Sequence, residues 1–236
     1  MEYRCEATSV AGFVQQLAVS YVGRGYFLYV AGEIPARKDP REVDAKLIAK
    51  YGLAVGKTTR ARRKAAGFAN VQYIRYRHFF VLVATPGRHS LFVEEARSLR
   101  DARDVPIKFA GYSISYRAGH PHVRIEESRF RGLKAYFEDI AVHRSREWLE
   151  AELRRMTFEP YAPVRSQLHC IIRAVNRRRE LAQFEPVSSS ALRMRRRIVK
   201  PFAPIIAVAS SPPPTLEPTA SDGHPIPVAA GSFQAA

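Results

Sequence analysis

Cysteine is nearly missing from this sequence. Cys5 and Cys170 are the two among 236 residues, so neither a disulfide framework nor a cysteine metal cluster can be built, and a reducing compartment is expected. No apolar run approaches the ~20 residues of a membrane span, and the N-terminal MEYRCEATSVAGFVQQL lacks the basic, apolar, small-residue order of a signal peptide. A cytoplasmic, soluble protein without a membrane partner is the expectation. Lysine is scarce, eight against thirty arginines, and no Asp or Glu occurs between Asp44 and Glu94. No G-x-S-x-G motif or activated Cys/His arrangement is evident. Glu94-Glu95 and Glu126-Glu127 are adjacent pairs whose carboxylates point apart, so they make poor acid/base couples.

What is there is positive charge: +16 overall, with a pI near 10.3. That predicts a polyanionic partner, attracted by long-range steering and counterion release. The arginine bias suits forked hydrogen bonding to phosphate oxygens. Residues 201 to 236 hold eight of the sixteen prolines and no Lys or Arg, and read as a disordered tail. The tail contributes −2, so the preceding 200 residues carry +18.

YFLYVAGEIP reads as a strand, and DPREVDAKLIAKYG as a helix with Asp39 as N-cap, Pro40 in its first turn and Gly52 at its end. VQYIRYRHFFVLVATPG is the next strand signal, its FFVLVA half suited to burial on both faces. A helix is expected over HSLFVEEARSLRDARD, then strands IKFAGYSISY and HVRIE, then a helix with Phe130, Leu133, Phe137 and Ile140 on one face. This order predicts an α+β core over 1–144, one antiparallel sheet with helices packed on one side, ferredoxin-like or related. A basic helical annex over 145–200 should follow, with Leu168, Ile171, Ile172 and Val175 on its inner face.

GLAVGKTTRARRKAAG, residues 52 to 67, looks at first like a phosphate loop. A P-loop needs four residues between its glycines, but Gly52 and Gly56 are separated by three, and a helix precedes them instead of a strand. What remains is a basic segment. As a helix it places Lys57, Arg60, Arg63 and Lys64 near one face, with Arg62 beside them, a stripe suited to a sugar-phosphate backbone. Tyr73, Arg75 and Arg77 alternate along the next strand, offering stacking and phosphate contacts on a common face. Arg177, Arg178, Arg179, Arg195, Arg196 and Arg197 extend the basic surface, where residues 165–200 carry a net +8.

His120 and His122 stand two apart, so in a strand both imidazoles point to one side. This His-x-His after an apolar strand and a helix resembles the motif of the HUH endonucleases, which include rolling-circle replication initiators and small tyrosine transposases. Pro121 stands where that family carries a bulky apolar residue. The resemblance implies that His120 and His122 hold Mg²⁺ or Mn²⁺ and that Tyr136 or Tyr161 attacks a phosphate. Alternatively, GHPH is a hairpin end with two exposed histidines beside phosphate.

Three readings follow. The first is a nucleic-acid-binding protein, needing no cofactor, of a replication or mobile-element system as the HUH resemblance implies. The second is a metal-dependent enzyme nicking single-stranded DNA, and the third a structural basic RNA-binding protein. Charge and arginine usage leave DNA and RNA both open.

Overall fold

A computed structural model describes residues 3–202, which form one compact unit. The fold is α+β. Two antiparallel sheets replace the single one expected; FFVLVA is covered by helix on one face and by the N-terminal helical segment on the other.

The first sheet has strands β1 (Leu28–Glu33), β2 (Val71–Tyr76), β3 (Phe79–Ala84) and β4 (Arg100–Asp101), in the order β2-β3-β1-β4. One face carries Val71, Tyr73, Leu82, Ala84 and Val30, packed with Leu47, Ile48 and Tyr51 of helix α2 (Pro40–Lys50) and its end. As anticipated, Asp39 caps this helix by accepting from the Arg41 amide, with Pro40 in its first turn. Gly52, at φ +56°, reverses the chain after it. The opposite face carries Tyr29, Ile74, Val81 and Val83, packed with Phe13 and Val14 of α1 (Val10–Gln15) and Leu17 of the π-helical turn Gln16–Tyr21 that continues it.

The nine-residue helix α3 (Lys57–Ala65) precedes β2. The helix expected after β3 shrinks to α4 (Leu91–Glu94), since the following residues turn so that Arg100–Asp101 can pair with Leu28 and Tyr29. Edge pairing here overrides helical spacing.

The second sheet is a meander of β5 (Ile107–Phe109), β6 (Tyr112–Arg117) and β7 (His120–Ile125). Its turns, Ala110-Gly111 and Ala118-Gly119, have positive φ at both residues, the twist that two-residue hairpins need. Ile107, Tyr112, Ile114, Val123 and Ile125 join the main core. There they meet Phe137 of α5 (Glu127–Ile140), Leu149 and Leu153 of α6 (Arg146–Arg155), and Val164, Leu168, Ile171, Ile172 and Val175 of α7 (Ala162–Leu181). The boundary expected at residue 144 is therefore absent: the basic helices complete the core of the second sheet instead of forming an annex. Gln167 of α7 accepts the Ile125 amide at 2.7 Å and donates to its carbonyl at 3.0 Å, closing the free edge of β7 as a neighbouring strand would.

Of the expected tail, Pro201 and Phe202 are anchored, the Pro201 carbonyl accepting from the Thr8 amide at 2.9 Å and Phe202 bridging Ala7. The rest of the tail lies outside the described residues. No helix among the described residues is long and apolar enough to cross a membrane.

Candidate nucleic-acid interface

Helix α3 has no buried residue. A nine-residue helix without an apolar face is not stabilised by packing, and its attachments are polar. Arg60 Nη1 donates to the Val55 carbonyl at 2.5 Å, Asn70 Nδ2 to the Arg60 carbonyl at 3.0 Å, and Arg63 Nη1 reaches the Gly52 carbonyl at 3.4 Å. Arg60 and Arg63 thus turn partly inward, and the expected stripe is broken at its middle. Lys57, Arg62 and Lys64 are exposed. Among the described residues none of these five cations joins an ion pair. The contrast is with α5 and α6, where Arg131, Lys134, Arg146, Arg154 and Arg155 all face glutamates three or four residues away.

Beside α3, residues 67–69 lie against residues 87–88. The Ala69 amide donates to the Arg88 carbonyl at 3.1 Å, and the Arg88 amide to the Gly67 carbonyl at 3.0 Å. Gly87, at φ +136°, makes this approach possible: a Cβ there would lie 2.5 Å from the Ala69 nitrogen and 2.7 Å from the Phe68 carbonyl carbon. The juxtaposition opens a groove of about 690 Å³ lined by Arg63, Phe68, Ala69, Arg88, His89, Ser90 and Val93. Phe68 is 45% and Val93 82% exposed, and the Arg88 guanidinium lies 4.8 Å from the centre of the Phe68 ring. Sequence reasoning missed this groove. Phe68 lay between the basic segment ending at Gly67 and the strand signal beginning at Val71, and Val93 near the start of an expected helix. Gly87→Ala is expected to separate the two strips, lowering stability by ~1–3 kcal/mol and abolishing the Phe68–Arg88 stack, as thermal unfolding and a crystal structure would show.

Tyr73 and Arg75 do not offer the exposed face expected of them: both are buried. The strand run 71–87 is a hairpin with Arg77-His78 at its tip, where Arg77 has φ +54°, and the face carrying Tyr73 and Arg75 is buried beneath α2. Arg75 Nε donates to both Asp44 carboxylate oxygens at 2.9 and 3.0 Å, Tyr73 Oη donates to Asp44 Oδ1 at 2.6 Å, and Arg75 Nη2 reaches Glu6 at 3.3 Å. Burial and the Asp44 charge push the neighbouring Cys5 thiol up to about 12, so this thiol is inert at neutral pH. Neither Tyr73 nor Arg75 can contact a polynucleotide. Arg77 is exposed at the hairpin tip and lies over the Tyr76 ring.

Arg179 is likewise buried, donating to the carbonyls of Ala141, Arg144 and Glu185. It is a brace between α7 and the α5–α6 connection, not a phosphate ligand. Arg177, Arg178, Arg195 and Arg197 are exposed and join no ion pair among the described residues. Arg196 lies over the Tyr161 ring at 4.9 Å and donates to its hydroxyl at 3.3 Å.

His120 and His122 share a side of β7, as expected, alternating with the buried Val123 and Ile125. Pro121 fits because the Tyr116 amide opposite it turns away to the Ala102 carbonyl at 3.1 Å, making this a pair without ladder hydrogen bonds. The nicking constellation is nevertheless not assembled. Among the described residues no third His, Cys, Asp or Glu joins the two rings. Tyr136 lies on α5 and Tyr161 at the start of α7, helices whose buried side chains meet Val123 and Ile125, the face opposite the histidines. Tyr161 also neighbours Glu159, whose amide donates to Tyr112 Oη. Tyr112 pairs with Ile125, five residues from His120 or about 16 Å along a strand.

The His122 ring is held below its ordinary titration range by burial, then by Arg117, Arg124 and His120. His89, whose Nδ1 accepts the Leu91 amide at 3.1 Å, is lowered first by burial. Both rings gain protons less readily in the fold than in the unfolded chain. Stability is therefore full above about pH 6.5 and is lost as pH falls through the folded values. Thermal unfolding should show this loss as pH falls below about 6.5, and His122→Asn should reduce it.

No protein-family model and no curated protein matches the chain.

Proposed function

We propose that the protein binds nucleic acid by its phosphate backbone, with α3 as the principal contact. The observation that carries this reading is a helix with no buried residue bearing five cations that join no ion pair among the described residues. Such a helix works against the fold, since Lys57–Arg60, Arg60–Arg63 and Arg60–Lys64 are like-charge neighbours at i,i+3 and i,i+4, each unfavourable by ~0.2–0.5 kcal/mol. A polyanion removes that repulsion and releases its own counterions. Arg77, Arg88, Arg177, Arg178, Arg195 and Arg197 extend the available charge. The nicking alternative is not carried forward, because its histidines and tyrosines occupy opposite faces of the second sheet.

The test is equilibrium binding of the full chain to labelled 30-nucleotide single strands and duplexes of DNA and RNA from 50 to 300 mM salt. Binding whose logarithm falls linearly with the logarithm of salt, with a slope of about −3 or steeper, is expected. Salt-independent binding, or none to any of the four, overturns the reading. The preferred ligand among the four decides between DNA and a structural role on RNA.

A further inference from the structure

We infer that the groove between Phe68 and Val93 is a seat for an unpaired nucleobase, so that the protein distinguishes single-stranded from duplex nucleic acid. This rests on the proposed phosphate contact by α3 and deepens it. The groove is lined by the apolar Phe68, Ala69 and Val93 together with Arg63, Arg88, His89 and Ser90, and by no acidic residue. An apolar slot with two arginines and no carboxylate in its lining suits a flat, weakly polar group that arrives tethered to anions. A nucleobase on its sugar-phosphate chain has that chemistry.

The Phe68 ring carries Arg88 4.8 Å from its centre and is 45% exposed, which leaves π-surface for a base to stack on and a guanidinium to pair with the adjoining phosphate. Arg63 belongs both to α3 and to the groove wall, so a strand whose phosphates follow the helix passes the slot. The platform is fixed, because Phe68 and Arg88 sit on the two strips joined by backbone hydrogen bonds. In a duplex the base faces are already stacked and cannot enter. An acidic peptide would satisfy the arginines but leave Phe68 and Val93 without a partner.

The experiment compares Phe68→Ala, Phe68→Trp and the unchanged full chain on a single-stranded 12-mer containing 2-aminopurine and on the same sequence as a duplex. Phe68→Ala is expected to weaken single-strand binding about 5- to 150-fold, the range for loss of one base stack, with duplex affinity and both salt slopes unchanged. Phe68→Trp is expected to keep the affinity and to show tryptophan quenching by the single strand and not by the duplex. Phe68 is half exposed, so thermal unfolding should show both variants folded. Equal losses for strand and duplex, no loss for either, or equal quenching of Phe68→Trp by a poly-glutamate peptide overturns the base seat while backbone binding stands. Failure of the unchanged protein to bind either oligonucleotide overturns both readings.

Discussion

Asp44→Ala is expected to lower folding stability by ~3–5 kcal/mol, the cost of removing one partner from a buried ion pair. Asp44 accepts three hydrogen bonds, two from the Arg75 guanidinium and one from the Tyr73 hydroxyl, and Arg75 is 2% exposed. Without the carboxylate a guanidinium stays buried with only the half-exposed Glu6 and the Arg77 carbonyl as partners, and Tyr73 loses its acceptor. For a domain of this size the loss corresponds to roughly 10 °C in midpoint, readable by calorimetry or a denaturant series. Asp44→Leu combined with Arg75→Met should recover much of it, since an apolar pair of similar volume needs no desolvation. If Asp44→Ala melts within a degree of the parent, the network is not a structural tie. Nucleic-acid binding by the folded fraction should be unchanged, because these groups lie beneath α2.

The second large effect concerns binding. Replacing Lys57, Arg62 and Lys64 together with alanine should lower the slope of log affinity against log salt by about 2 to 3, at 0.7 to 0.9 per phosphate contact. At 0.1 M salt that is roughly a 10²- to 10³-fold loss. The fold should tolerate the change, since all three side chains are exposed and form no ion pair among the described residues, and relief of repulsion with better helix formers should leave stability equal or slightly higher. An unchanged salt slope would remove α3 from the interface and transfer the contact to Arg177, Arg178, Arg195 and Arg197. Arg60 and Arg63 are left in place because their guanidinium groups also hold the helix to the Gly52–Val55 loop.

Much of the fold was legible. The caps of α2, the buried faces of α5 and α7 and the doubly buried FFVLVA strand all follow from local chemistry. The hairpin end at GHPH was foreseen, and Gly119 stands in its turn. Arg77-His78, with neither Gly nor Asn, gave no such signal, and the hairpin it makes inverts the reading of Tyr73 and Arg75. Of Arg177, Arg178 and Arg179, the third continues the face of Ile172 and Val175 at i+7 and i+4, a position the sequence reading passed over in counting all three as phosphate contacts. Its partners, the carbonyls of Ala141 and Arg144, are supplied by a distant segment and had no local signal.

Charge is a sum over the chain, so the sequence by itself determined that the protein carries a large positive excess and that residues 45 to 93 contain no acid to balance it. Whether a given cation is free is not a sum. It depends on which carboxylate or carbonyl a distant segment brings within about 3 Å, and that reach is a property of packing. Tertiary structure alone therefore decided that Arg75 and Arg179 are spent on the fold, that Lys57, Arg62 and Lys64 are not, and that Phe68 and Arg88, twenty positions apart, share one groove.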